Sequence, residues 1–287
     1  APPVEPAMEA TQDVEQGIED ELVTANQTVD VVTSVPDSFS PEEVTLSNAE
    51  LSLTFSTAGA TMTSAALADY HTYDDTAKIE ALDLIKGNSQ VFDVRLPGGE
   101  ALSTKEFEVI GSSSRSLVLS DGNTRVTIEL AEVGYDFTFI VNGTAESSGK
   151  PEIYWERSAQ RTEKGITTER QYSSFVYQLN EDGDVEHLAG RGSDKSETTE
   201  PINWLAQKQR FFSLIIHPEQ GFASADIATL NGDDENENLV KEFSATAQLN
   251  QTVSGAYSLP FTMYVGPNQY QLLKTYDEGY EKAINFG

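Results

Sequence analysis

At 287 residues the chain is long enough for one large β domain or two ordinary ones, and without cysteine it offers no disulfide, thiolate metal site or cysteine nucleophile. Eighteen Lys+Arg against 47 Asp+Glu leave a net charge of −29, a surface that repels phosphate backbones and anionic lipid heads and argues against nucleic-acid binding. Hydrophobic content is 38% and mean hydropathy −0.39, and no run approaches the roughly 18–20 apolar residues that span a bilayer.

The amino end, Ala1-Pro2-Pro3, has neither the basic stretch nor the apolar stretch of a cleavable signal. Residues 1–77 carry 15 of the acids and no Lys or Arg. Such absence of positive charge is typical of segments facing away from the cytoplasm. Residues 1–43 read as an acidic, Pro-containing flexible tether, with Phe39 as the single aromatic and too little apolar surface to offset ordering.

From Val44 the pattern is β. Leu51, Leu53 and Phe55 alternate with polar residues, and Ala58-Gly59-Ala60 turns the chain. Met62, Leu67 and Tyr70 are expected on a second strand, and Leu82, Leu84 and Ile85 lead into Val91–Leu96, closed by Pro97-Gly98-Gly99. Further strands are expected at Phe107–Ile110, Leu117–Leu119, Val126–Leu130 and Tyr135–Val141, where Asn142-Gly143 is a hairpin signal. Ile153 and Trp155 mark another, Tyr172–Leu179 the next, and residues 190–200 read as a polar loop. The dense stretch Ile202–Ile216, then Phe222–Leu230 and Phe243–Leu249, leads to a terminal strand over Leu259–Val265. Gly266-Pro267-Asn268 breaks it, and from Gln269 apolar residues recur at helical spacing through Leu272, Leu273, Tyr276, Tyr280, Ala283 and Ile284.

About fifteen short strands without interleaved helices predict an all-β fold in two large twisted sheets, since open sheets rarely exceed roughly ten strands without splitting. Residues 44–268 form this sandwich, and 269–287 a C-terminal amphipathic helix. Its apolar side, with Tyr270, Leu273, Tyr276, Tyr280, Ile284 and Phe286, is the expected docking element.

No catalytic constellation emerges. His71, His187 and His217 have no metal-ligand spacing, and each reads as a turn or surface residue. No G-x-S-x-G is present, and Gly143–Lys150 lacks the spacing and the Ser/Thr of a phosphate loop. The best metal candidate is the acidic run at 231–237, which places Asn231, Asp233, Glu235 and Glu242 at calcium-loop positions. Asn236 stands where such a loop needs glycine and the flanks are strands, so a solvated hairpin loop is the plainer reading. No cofactor is implied.

Three blocks carry a family resemblance. The first is Val44–Tyr70, with Ser56-Thr57-Ala58-Gly59-Ala60 and Leu67-Ala68-Asp69-Tyr70. The second is Asn203–Phe212, which is similar to a W-x-A-x-K-x-x-Y-F pattern with Phe211 in place of Tyr. The third runs from Phe261–Pro267 through Tyr270 and Leu273 to Ile284-Asn285-Phe286-Gly287, where Asn285 departs from the usual Asp. Together they resemble the large periplasmic domain of the YidC/Oxa1-type membrane protein insertases of Gram-negative bacteria, in a Bacteroidetes-like version, over residues 44–287.

The resemblance implies a β-supersandwich similar to galactose mutarotases, placed on the periplasmic face of the inner membrane. It implies a preceding transmembrane helix and a following membrane core that performs insertion, so the domain itself is non-catalytic. Implied partners are that core, Sec-translocon components and nascent membrane proteins. The alternative on the same scaffold is a carbohydrate-binding or aldose-epimerase-like domain, which a groove holding a His–Glu pair would favour.

Overall fold

The computed structural model describes residues 39–232 and 236–284. The tether expected over 1–43 lies outside the described residues up to Ser38, as do Asp233 and Glu235 of the calcium candidate and Phe286 of the docking element.

The first four strands, β1 (Glu43–Ser47), β2 (Leu51–Ser56), β3 (Thr61–Leu67) and β4 (Leu82–Lys86), form an antiparallel sheet in sequential order. Period-2 patterning explains its inner face: Leu51, Leu53 and Phe55 are buried while Ser52, Thr54 and Ser56 stand half-buried between them. At the β2–β3 turn, Gly59 (φ 69°) and Ala60 (φ 53°) are left-handed.

The remaining strands form one fourteen-stranded sheet. These are β5 (Gln90–Arg95), β6 (Glu108–Ser112), β7 (Ser116–Ser120), β8 (Arg125–Leu130), β9 (Asp136–Gly149), β10 (Glu152–Gln160) and β11 (Ser174–Leu179). Then come β12 (Val185–His187), β13 (Asp194–Thr198), β14 (Ile202–Lys208), β15 (Phe212–Pro218), β16 (Phe222–Asn231), β17 (Leu239–Leu249) and β18 (Val253–Pro267). The main path is β5-β10-β17-β16-β14-β15-β18-β9-β8-β7-β6, with β11 and β12 branching from β14, and β13 from β16. A short helix, α1 (Ile166–Gln171), precedes β11. The two sheets meet in a continuous apolar core, where Phe55 of β2 stands edge-on to Phe137 of β9 at 6.1 Å.

The expected two-sheet, all-β architecture is therefore present, divided unequally into four and fourteen strands. Three local expectations need correction. Asn142-Gly143 does not end a strand: β9 runs through it, with Asn142 opposite Ser258 and Gly143 opposite Tyr257. The glycine serves close approach, because a Cβ there would lie 2.6 Å from the Tyr257 hydroxyl. The polar stretch 190–200 contains β13, whose alternation is hidden because its side chains are all polar or charged while its backbone pairs with β16.

The third correction is at the C-terminal end. Gly266 and Pro267 belong to β18, and the helical stretch is broken into α2 (Tyr270–Lys274) and a single 3-10 turn (Tyr280–Ala283). Between them Asp277 (φ 58°) and Gly279 (φ 75°) adopt left-handed conformations that no helix continues through.

Candidate functional site

The second block sits on β14, and strand geometry sorts its residues. Trp204, Ala206 and Lys208 share one face, while Leu205 and Gln207 point to the other. The C-terminal segment lies over the first face. The Trp204 indole Nε1 donates to the Glu278 carbonyl at 3.0 Å, and its ring meets Tyr280 edge-on at 5.6 Å. That carbonyl belongs to the left-handed bend, so the contact holds the chain where helix hydrogen bonding stops.

Neighbouring strands complete the seam. His217 on β15 places Nδ1 3.0 Å from the Tyr280 hydroxyl. Tyr264 on β18 donates to the Pro267 carbonyl at 2.7 Å and packs edge-on against Tyr276 at 5.4 Å. Lys282 Nζ donates to the Gly183 carbonyl at 2.8 Å. Gly279 is favoured by its φ of 75°, and a Cβ there would also displace the Gln178 amide, whose Nε2 would lie 2.6 Å away. Burial pushes the phenols of Tyr264, Tyr276 and Tyr280 far above their ordinary range, so all three remain neutral hydrogen-bonding groups at physiological pH. Burial likewise lowers the His217 pKa, against the pull of Glu278.

The expected docking residues divide clearly. Leu273 and Tyr280 are fully buried, Tyr276 and Ile284 are partly buried against the same core, and Tyr270 is half-buried. Leu273, Tyr276, Tyr280 and Ile284 thus pack against the domain's own core. Trp204 and His217, which hold the segment from the sheet, carry no helical periodicity. The W-x-A-x-K alternation placed on a strand is the signal that finds the first of them.

The three blocks converge here. Tyr70 of the first block packs edge-on against Phe212 of the second at 5.2 Å. Its hydroxyl accepts from Gln269 Nε2, at the start of the C-terminal segment, at 2.7 Å. Asn268 Nδ2 then donates to the Gln209 carbonyl at 2.8 Å. Chain segments some 200 residues apart are joined within one cluster of side chains.

The YidC periplasmic domain profile matches residues 43–287. The chain belongs to this family. A membrane protein insertase YidC from Parabacteroides distasonis, a Bacteroidetes species, is 27% identical over 254 residues, covering 82% of this chain but only 38% of that relative. The chain thus spans about two fifths of the length of the curated relatives it matches. Among solved structures, an active YidC insertase with its first transmembrane domain resolved aligns over 85% of this chain and 43% of its own, at 14% identity and a TM-score of 0.43. A galactose mutarotase related enzyme from Lactobacillus acidophilus aligns over 78% of this chain and 97% of its own, at 10% identity and a TM-score of 0.47. Neither score carries an argument about activity.

On the opposite face of the second block, the domain buries a polar cluster. Arg157 on β10 donates to Gln209 Oε1, and Gln209 Nε2 donates to Glu169 Oε1 at 3.2 Å. The Glu169 carboxylate also accepts from the Thr162 hydroxyl at 2.6 Å and from the Glu163 amide at 3.1 Å. Burial pulls Arg157 down to about 9 and raises Glu169, the response of charges held away from water.

The other candidates resolve as follows. His71 bonds the Glu80 carbonyl at 2.7 Å in a loop, and His187 is exposed on β12. A cavity of about 430 Å³ is lined by His217, Glu219, Glu278 and Thr262, with His217 Nδ1 3.8 Å from Glu278 Oε2. Of the calcium candidates, Asn231 pairs with Lys241 and Glu242 with Leu230 across the β16–β17 hairpin. Among the described residues no group of three or more His, Cys, Asp or Glu is placed to hold a metal ion.

Proposed function

We propose that the domain is a non-catalytic accessory of a membrane protein insertase, assisting insertion and folding of inner-membrane proteins from the periplasmic side. The observation that carries this is the family match over residues 43–287, ending in a segment that Trp204 and Tyr280 clamp to the sheet. A segment clamped in this way acts as a rigid joint. In this reading it fixes the orientation of the β domain relative to the membrane-embedded core, and the chain spans 38% of the length of one such relative. The partners in this reading are the protein's own membrane-embedded core, nascent membrane proteins and a Sec-translocon component.

The test is complementation in cells depleted of the native insertase, using the full-length protein with Trp204→Ala or Leu273→Asp. Insertion of a reporter membrane protein should fall while the protein itself remains in the membrane. Normal insertion with the joint demonstrably loosened would sink the reading.

A sugar-binding or aldose-epimerase reading draws on one observation, the His217–Glu278 contact beside a cavity. Against it, His217 Nδ1 is engaged by the Tyr280 hydroxyl, which ties the pair to the seam. Polarimetry of α-galactose mutarotation separates the two: acceleration by the chain, abolished in His217→Ala, would favour the epimerase.

A further inference from the structure

Lys208, the lysine of the W-x-A-x-K face, is 8% exposed, and its Nζ donates to one backbone carbonyl, that of Tyr172, at 3.1 Å. It forms no ion pair with any described residue. Burial draws its pKa down to about 8, with no neighbouring charge to oppose the shift. A buried ammonium without a counter-ion is unusual, because such charges are normally paired.

Lys208 lines a cavity of about 390 Å³ between β11, β12 and the C-terminal 3-10 turn. The cavity also takes Lys282 and His187, has Val176, Val185 and Ile284 on its apolar wall, and is lined by no Asp or Glu. In a chain with 47 acids and 18 Lys+Arg, a pocket with two lysines, a histidine and no carboxylate is a local reversal of charge. Its size falls within the roughly 300–1,000 Å³ of small-ligand sites.

We propose that this cavity binds the phosphate of a phospholipid headgroup, with Lys208 and Lys282 as its cationic contacts and the apolar wall against the glycerol and first acyl carbons. Phosphate supplies the missing counter-ion, and charge-assisted N–H···O bonds to it are stronger than those to a carbonyl. The net charge of −29 opposes a net-anionic lipid surface, so the headgroup that fits balances its phosphate with its own ammonium, as in phosphatidylethanolamine. The choice of a lipid over another phosphate carrier rests on the membrane-protein reading above. Val176, Val185 and Ile284 form an apolar wall beside two cations, which suits the glycerol and first acyl carbons and which a free phosphate does not need.

The experiment is calorimetric titration of the 287-residue chain with short-chain phosphatidylethanolamine below its micelle concentration, with O-phosphoethanolamine, and with an N-acetylated dipeptide bearing a free carboxylate. Saturable binding of the lipid, about tenfold tighter than the bare headgroup, is expected from burial of its acyl carbons. Lys208→Met should abolish binding and Lys282→Ala weaken it about tenfold, while Lys150→Ala leaves it unchanged. Lys208→Met should also melt no lower than wild type without lipid; a lower melting temperature would mark the lysine as structural and overturn the proposal. Equal binding of lipid and headgroup, or preference for the peptide carboxylate, would overturn the lipid assignment. No binding of any probe would remove the site altogether, leaving the insertase reading to its own complementation test.

Discussion

At the scale of single residues, burial governs the behaviour. Lys208 has its pKa drawn down to about 8 when folded, against 10.5 for an ordinary lysine. The unfolded chain therefore holds the extra proton between those values, so this residue lowers stability below about pH 8 and ceases to do so as pH rises towards 10.5. The penalty is on the order of 3 kcal/mol at neutral pH. Denaturant unfolding of wild type and Lys208→Met should show the variant more stable at pH 7 and the gap closing by pH 10; a gap independent of pH would contradict this. Gly143 answers to space rather than charge. Gly143→Ala drives a methyl against the Tyr257 hydroxyl, 2.6 Å from the ideal Cβ, and should cost about 1–3 kcal/mol in the same measurement.

Several of these positions are only partly legible in the chain itself. Gly143 follows Asn142, the commonest hairpin pair, and only the ring of Tyr257 across the sheet shows that the glycine is there for contact. Lys208 can be placed on a face with Trp204 and Ala206 by period-2 counting, yet its burial depends on a segment more than sixty residues further on.

At the scale of elements, short alternating strands were the readable part. Leu51-Leu53-Phe55, Phe137-Phe139-Val141 and Phe261-Met263-Val265 are buried as alternation requires. The C-terminal helix was less so. Leu273 and Tyr280 are buried, but a spacing of three and four is also kept by a one-turn helix, a left-handed bend and a 3-10 turn in succession. Leu273→Asp and Tyr280→Asp should each cost about 2–5 kcal/mol of stability by thermal melting. An unchanged melting temperature would show the segment detached from the sheet. Within the polar cluster, Glu169→Ala removes the carboxylate that faces Arg157 through Gln209 and should cost about 3–5 kcal/mol. A loss below 1 kcal/mol would show the cluster hydrated rather than buried.

At the scale of the whole molecule, fourteen strands in one sheet leave a broad face of β14, β15 and β18, and the C-terminal segment covers part of it. The division into four and fourteen strands could not be read from spacing, because sheet membership is set by long-range pairing such as β5 with β10. The joint, in contrast, is written in three separated blocks whose meaning appears once Tyr70, Phe212 and Gln269 come together. The family model covers residues 43–287, and the proposed role of the C-terminal segment as a joint is what remains to be measured. Amide hydrogen exchange tests that joint most directly, at Leu273, Tyr276, Lys282 and Ile284, whose N–H groups bond within the segment. Protection matching β14 and β15, lost from the segment alone in Trp204→Ala, is the predicted result. Exchange at the rate of unstructured chain while the sheet stays protected would contradict it.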